Sequence, residues 1–279
     1  MTIGVSTYSF QKYKAATGCD LFALCDKAKE LGFDHIDFAD QPTDVKVAEE
    51  LRVYCERIGL PIGAYSVGAN FLAEDIETEL ARLRGAVDVA AALGVTVMRH
   101  DATFSLPRKH LYSYRDAIRE MAPRIREIAD YAEAKGVRTC SENHGFIFQA
   151  PERVEELILA VGHTNYGWLC DIGNFLCADA DPVRAVAIAA PYTFHVHVKD
   201  FIVKPGILPK PDGFMVTAGG NYLRGTVIGH GDVPIKNCIT ALKKGGYDGK
   251  LTIEFEGLED NIKALEYGLS FLRRAVNEQ

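Results

Sequence analysis

Thr193–Asp200 reads TFHVHVKD, and its alternation decides the fold. As an extended strand it puts His195, His197 and Lys199 on one face and Phe194, Val196 and Val198 on the other. A strand with one buried apolar face normally leaves its polar face in water. These histidines instead lie in a hydrophobic run beside Pro191–Tyr192, so the polar face looks into a concave interior. Three further strand-like runs end in similar residues: RTCSENHG with Glu142 and His144, YGWLCDIGNF with Asp171, and KLTIEFEG with Glu254 and Glu256. Four strands delivering carboxylates and imidazole to one end predict a metal site.

The rest of the chain reads as the scaffold for those ends. Ile3–Tyr8 is a β-rich run followed by loop, then Asp20–Leu31 shows apolar residues at helical spacing, stopped by Gly32. FDHIDFAD, LPIGAYS and VTVMRHD are strands two to four. Between them stand helices over Thr43–Ile58, capped by Thr43, and over Asp75–Leu93. Ser113–Lys135 is a helix that Pro123 is expected to kink or split. Helices follow at Pro151–Val161, Asp181–Ala190, Pro234–Lys244 and Leu258–Val276. Eight strand–helix units without a composition break predict a single α/β domain over residues 1–279, a (β/α)8 TIM barrel. A doubly wound sheet is disfavoured because nothing like GxGxxG follows strand one. One connection is too long: Phe201–Val233, rich in Gly and Pro, is expected to be a lid over the His197 end of its strand.

Composition narrows the class. The 279 residues are 48% hydrophobic and 25% charged, with formal charge −7 and no long basic run, which disfavours nucleic acid. No apolar run approaches the roughly 20 residues of a membrane span, and the N-terminus lacks a signal-peptide pattern. Seven cysteines without CxxC spacing fit buried thiols in a reduced, cytoplasmic protein. The expected partner is a small carbohydrate, with neither nucleic acid nor membrane, and homo-oligomerisation is left open.

Glu142, Asp171, His197 and Glu254 offer three carboxylates and one imidazole. That set suits one hard or borderline divalent ion, Mn²⁺ first, with Mg²⁺, Co²⁺ or Zn²⁺ as alternatives. Abstracting a proton next to a carbonyl is slow because the carbanion is unstable, and a metal on the substrate oxygens stabilises the enediolate. Glu142 and Glu254 stand three strands apart around an eight-strand ring, so they can reach a substrate from different sides as a catalytic acid/base pair. Candidate hydroxyl binders are His144, Lys199, Arg224, His230, Glu256, and on strand four Arg99 and His100. Gly219–Gly220 is a candidate phosphate cradle. Tyr8, Phe10, Tyr65, Phe71 and Phe104 lie at or past strand ends, where aromatics can stack on a sugar. His195, deeper in the barrel, is read as supporting rather than ligating.

SENHG, CDIGN, HVHVKD, GHGDVP and IEFEG resemble the xylose isomerase-like TIM-barrel superfamily of sugar (phosphate) isomerases and epimerases over essentially the whole chain. The resemblance to its ketose 3-epimerase branch implies Glu142, Asp171, His197 and Glu254 as metal ligands, with the two glutamates as the acid/base pair. Asn174 stands where that branch has histidine, and Val203 where it has arginine, so the sugar-binding end differs. The implied activity is a divalent-metal-dependent sugar isomerase or epimerase. The alternative is a lyase or dehydratase of the inosose dehydratase or C-glycoside-cleaving type. An endonuclease IV-like nuclease is remote, because its three-zinc cluster needs many more histidines than the eight present. A non-catalytic sugar-binding barrel is disfavoured by two glutamates facing one metal.

Overall fold

The computed structural model describes residues 1–278, so Gln279, the last residue of the expected domain, lies outside them. Eight parallel strands close into a barrel: β1 (Thr2–Ser6), β2 (His35–Ala39), β3 (Ile62–Val67), β4 (Val97–His100), β5 (Arg138–Glu142), β6 (Tyr166–Asp171), β7 (Thr193–Val198) and β11 (Lys250–Ile253). Around the ring the order is β1-β11-β7-β6-β5-β4-β3-β2. Strands with both faces covered are buried along their length, and all six residues of β6 are buried, Asp171 included.

The outer layer comprises α2 (Leu21–Leu31), α3 (Val45–Ile58), α4 (Ile76–Ala92), α5 (Tyr114–Glu133), α6 (Pro151–Val161), α7 (Pro182–Ala189), α8 (Ile235–Lys244) and α9 (Asn261–Asn277). In α5 the buried residues Ala117, Ile118, Met121, Ala122, Ile125, Ile128, Ala129 and Ala132 fall at helical spacing, which is why that stripe faces the strands. Asp20, Asp75, Ser113, Asp181 and Asp260 cap their helices by accepting backbone N–H bonds.

The structure departs from expectation at four places. Asp44, not Thr43, caps α3, accepting from the N–H groups of Lys46 and Val47. Pro123 sits inside α5, which remains one helix, because the proline lies on the exposed face where a lost backbone bond is replaced by water. The stretch read as loop contains α1 (Gln11–Thr17), a helix without a buried residue and hence without an apolar stripe to betray it. The long connection holds a three-stranded antiparallel sheet of β8 (Phe201–Lys204), β10 (Tyr222–Gly225) and β9 (Met215–Val216), in that order. Its Phe201, Val203, Leu223 and Met215 pack with Cys177, so the segment has a small apolar core of its own.

The barrel interior is layered. Ala64, Val97, Cys140 and Leu169, with Phe194, plug its base. Across the ring from them, with His195 in register beside Leu169, stands a polar layer of His35, Asp37, His195 and Thr252, all buried. Two glycines make room for it: a Cβ on Gly4 would lie 2.2 Å from the His35 ring, and one on Gly63 would lie 2.0 Å from Asp37 Oδ1. The third layer, at the strand C-termini, is the site. No described helix is long and apolar enough to cross a membrane.

Candidate active site

Four adjacent strands build the third layer. Glu142 and Asp171 end β5 and β6, His197 is the penultimate residue of β7, and Glu254 follows the last residue of β11. Strand register places Asp171 directly beside His197, and His197 beside Thr252. Glu254 is pinned at the rim by its own N–H, which donates to the carbonyl of Val198 at 3.1 Å. All four are buried, none more than 7% exposed. One ligand atom from each lies within 4.8 Å of the others, near the separation of about 4.2 Å for opposed ligands at 2.1 Å from one ion. His197 Nδ1 stands 3.6 Å from Glu142 and 3.4 Å from Glu254.

The site also holds two cations. Arg99 Nη2 lies 2.6 Å from Glu142 and 2.9 Å from Asp101. Lys199 Nζ lies 2.9 Å from Glu254, 3.3 Å from Asp171 and 4.0 Å from Glu142. Burial opposes ionisation of the Glu142 carboxyl, but Arg99 and Lys199 outweigh it and hold it well below the usual range. At Glu254, His197 and Lys199 do the same against burial. Asp171 is left with the burial effect dominant, and its carboxyl rises to about 6. Burial disfavours charge on His197 and Lys199, yet Glu254 beside both keeps them well above their ordinary values.

The donor set fits a divalent ion. Asp171 Oδ2 and both ring nitrogens of His197 are buried and make only ion-pair contacts, to Lys199 at 3.3 Å, Glu254 at 3.4 Å and Asp37 at 3.8 Å, with no well-formed hydrogen bond, which leaves their lone pairs open to an ion. Three carboxylates and an imidazole are the chemistry of Mn²⁺, Mg²⁺ or zinc. Lys199 is the group with which an entering ion would share Asp171 and Glu254.

A cavity of about 210 Å³ opens above this layer, lined in part by Tyr8, Asp40, Ser66, Asp101, Phe104 and Glu256, together with Arg99, His144 and Lys199. His144, Lys199 and Glu256 are therefore brought to the cavity as the sequence led us to expect. His144 Nδ1–H donates to the Asp101 carboxylate at 2.8 Å. The expectation for His100 is corrected: it points outward, fully buried between Phe71 and Tyr166, because it alternates with the inward Arg99. Arg224 is held by Glu259 at 3.2 Å over the ring of Phe214, and His230 is exposed and stacked on Tyr267. Neither lines the cavity. Of the five aromatics expected at the mouth, Tyr8 and Phe104 are there, whereas Phe10, Tyr65 and Phe71 are buried in the core. A larger hollow of about 400 Å³ lies at the opposite end of the barrel, lined by residues such as Arg52, Cys55, Glu56 and Leu93, with Arg52 and Glu56 paired to each other at 2.9 Å.

Several site residues escaped sequence reading. Asn174, noted only as a departure, donates its side-chain N–H to Glu142 at 3.1 Å and its backbone N–H to Asp171. Asn143 accepts from the Asp171 backbone and donates to its carbonyl, fixing that strand end. Asp37 was legible as an inward residue of FDHIDFAD by alternation. Its place beneath His197, at 3.8 Å, was not.

Among solved structures, the chain resembles D-psicose 3-epimerase from Clostridium cellulolyticum, solved with D-tagatose, at 18% identity and TM-score 0.77, with 99% of each chain covered. The probable 3-DHS dehydratase AsbF from Bacillus anthracis is similar at 18% identity and TM-score 0.77, covering 98% of this chain and 99% of that one. A xylose isomerase-like TIM barrel protein from Mycobacterium smegmatis, in complex with magnesium, matches at 21% identity and TM-score 0.74, covering 99% and 97%. At such identities the likeness establishes the fold alone. No curated protein sequence matches significantly. The model of the xylose isomerase-like TIM barrel family matches residues 25–275, nine-tenths of a chain already seen to close eight strands around a carboxylate-rich mouth, and the chain belongs to that family.

Proposed function

We propose that this protein is a divalent-metal-dependent isomerase or epimerase of a ketose or keto-sugar, working by proton transfer through an enediolate. One observation carries the reading. Glu142 and Glu254 come from strands three positions apart in the ring, yet both carboxylates stand within 3.6 Å of His197. Two carboxylates facing one small cavity from different strands are what removing a proton on one side and returning it on the other requires. A bound divalent ion, Mn²⁺ first, supplies Lewis-acid stabilisation of the charge that builds on the substrate oxygens. Glu142, Asp171, His197 and Glu254 would hold it.

The chain's own residues do the rest. Arg99 keeps Glu142 ionised, the state a base needs, and Asn174 orients it. Glu254 faces the substrate from the other side. His144, Lys199 and Glu256 line the cavity as hydroxyl partners. General acid–base catalysis of this kind contributes about 10²–10⁴-fold. The segment 201–233 is assigned as a cover for the mouth, and it leaves the barrel beside Lys199. Equal proteolysis of the segment with and without sugar would remove that role.

The test of the reaction is solvent deuterium. A ketose turned over in D₂O should carry label at the carbon next to the carbonyl, and Glu142→Gln or Glu254→Gln should abolish turnover once metal loss is excluded. Turnover without label would sink the mechanism. The likeness to AsbF keeps a second reading open, a lyase using the same proton abstraction. Label accompanied by loss of water or of a leaving group would select it.

A further inference from the structure

We infer that the substrate carries no negative charge: the cavity takes a neutral polyol or keto-sugar of about one ring, and rejects phosphate and carboxylate analogues of the same size. This rests on the sugar reading above and adds the chemical class of the substrate.

The first observation is the charge of the cavity. Asp40, Asp101, Glu142, Glu254 and Glu256 line it, with Asp171 beneath, against Arg99, Lys199 and, without metal, a His197 that Glu254 keeps charged. With His197 neutral as a metal ligand, six carboxylates exceed the two remaining cations by four, and the divalent ion reduces that excess to two. Both cations are already engaged, Arg99 by Asp101 and Glu142, and Lys199 by Glu254 and Asp171. An anionic group entering here meets net negative charge inside a half-enclosed space, where like charges repel strongly.

The second observation is independent. Glycine-rich turns with convergent N–H groups are the usual cradle for a phosphate, and segment 201–233 contains two. Both are filled by the chain's own carboxylates. Asp179 accepts from the N–H of Gly219, from the Thr217 hydroxyl at 2.8 Å and from the Asn221 amide at 2.7 Å. The Gly219–Gly220 turn expected as a phosphate cradle is thus closed from within. Asp200, 2% exposed, accepts from the N–H groups of Gly229 at 2.8 Å, Gly231 at 2.9 Å, Phe201 at 2.9 Å and Val233 at 3.1 Å. Arg224, the remaining cation expected at the mouth, is spent on Glu259. The sugar-sized volume of about 210 Å³ is below the roughly 300–1,000 Å³ of drug-sized pockets and suits one ring.

The test is calorimetric titration of the Mn²⁺-loaded protein with a panel of neutral ketoses and hexitols, their 6-phosphates, the matching aldonates, and inorganic phosphate. The expected result is that a neutral member binds at least about 100-fold more tightly than its phosphate or carboxylate counterpart. Glu256→Gln should narrow that preference several-fold. Inorganic phosphate reports what the metal alone holds. A sugar phosphate that outbinds both its neutral parent and inorganic phosphate overturns the inference, as does equal binding, or binding by no neutral sugar in the panel. The two readings fail separately. Neutral sugars that bind without solvent exchange sink the proton transfer and leave the substrate class standing. Exchange confined to sugar phosphates does the reverse.

Discussion

The barrel interior holds two clusters with the composition of a metal site, one above the other. The upper one, Glu142, Asp171, His197 and Glu254, has three carboxylates and opens into a cavity. The lower one, His35, Asp37 and His195, has one carboxylate and none of its residues lines that cavity. Hydrogen bonds tie the lower cluster together. Asp37 and His195 meet at 2.6 Å, and Thr252 joins both histidines at 2.9 and 3.0 Å. Each cluster still keeps buried atoms without a hydrogen bond, His35 Nδ1 and Asp37 Oδ1 below, Asp171 Oδ2 and both ring nitrogens of His197 above. Burial and residue type are shared. Excess like charge and open access are what distinguish a site from a support.

The largest expected effect tests that contrast directly. Asp171→Ala should weaken Mn²⁺ binding by more than about 100-fold, beyond the 10–100-fold typical of losing an outer partner. Titration of the wild type should show one ion per chain. A second equivalent that survives Asp171→Ala would place an ion in the lower cluster and break the comparison.

Asp37→Asn should act at one remove. Asp37 is bonded to His195 and stands 3.8 Å from His197 Nε2, so its loss should cost about tenfold in metal affinity. It should also cost about 1–3 kcal/mol in urea stability, because a buried histidine loses its charged partner. Unchanged metal affinity would show that the lower cluster supports only the fold.

Acid should expose the lower cluster in metal-free protein. Burial pushes His35 down to about 4 from an ordinary value of 6.5. A lowered folded value means the unfolded chain binds the extra proton first, so stability present above pH 6.5 is lost as pH falls towards 4. The slope approaches about 1.4 kcal/mol per pH unit for one proton, and His35→Gln should flatten it. His100, also pushed down to about 4 by burial, adds its own slope and must remain in both proteins.

The smallest effects concern the room made for that layer. Gly63→Ala drives a methyl into Asp37 and should cost about 1–3 kcal/mol. Gly85→Ala, in α4 with nothing within 4 Å, should stabilise by about 0.5–1 kcal/mol. Equal effects at the two positions would show that the lower layer yields freely.

Much of this molecule follows from local periodicity. Alternation along β7 placed His195, His197 and Lys199 inward, and apolar spacing marked α2 to α9 within a residue or two at most ends. The ordered Glu142, Asp171, His197 and Glu254 were legible as strand ends of one barrel. These signals repeat every two or four residues, so a single segment contains them. Only the tertiary structure decided the partners. Asp37 meets His195 across 158 residues of sequence, and Lys199 settles between Asp171 and Glu254. The glycine-rich turns close on Asp179 and Asp200, and β8, β9 and β10 pair where composition reads as loop. Those contacts depend on how far closure of the ring brings distant strands together, and on which carboxylate reaches a donor first. No local period encodes either distance.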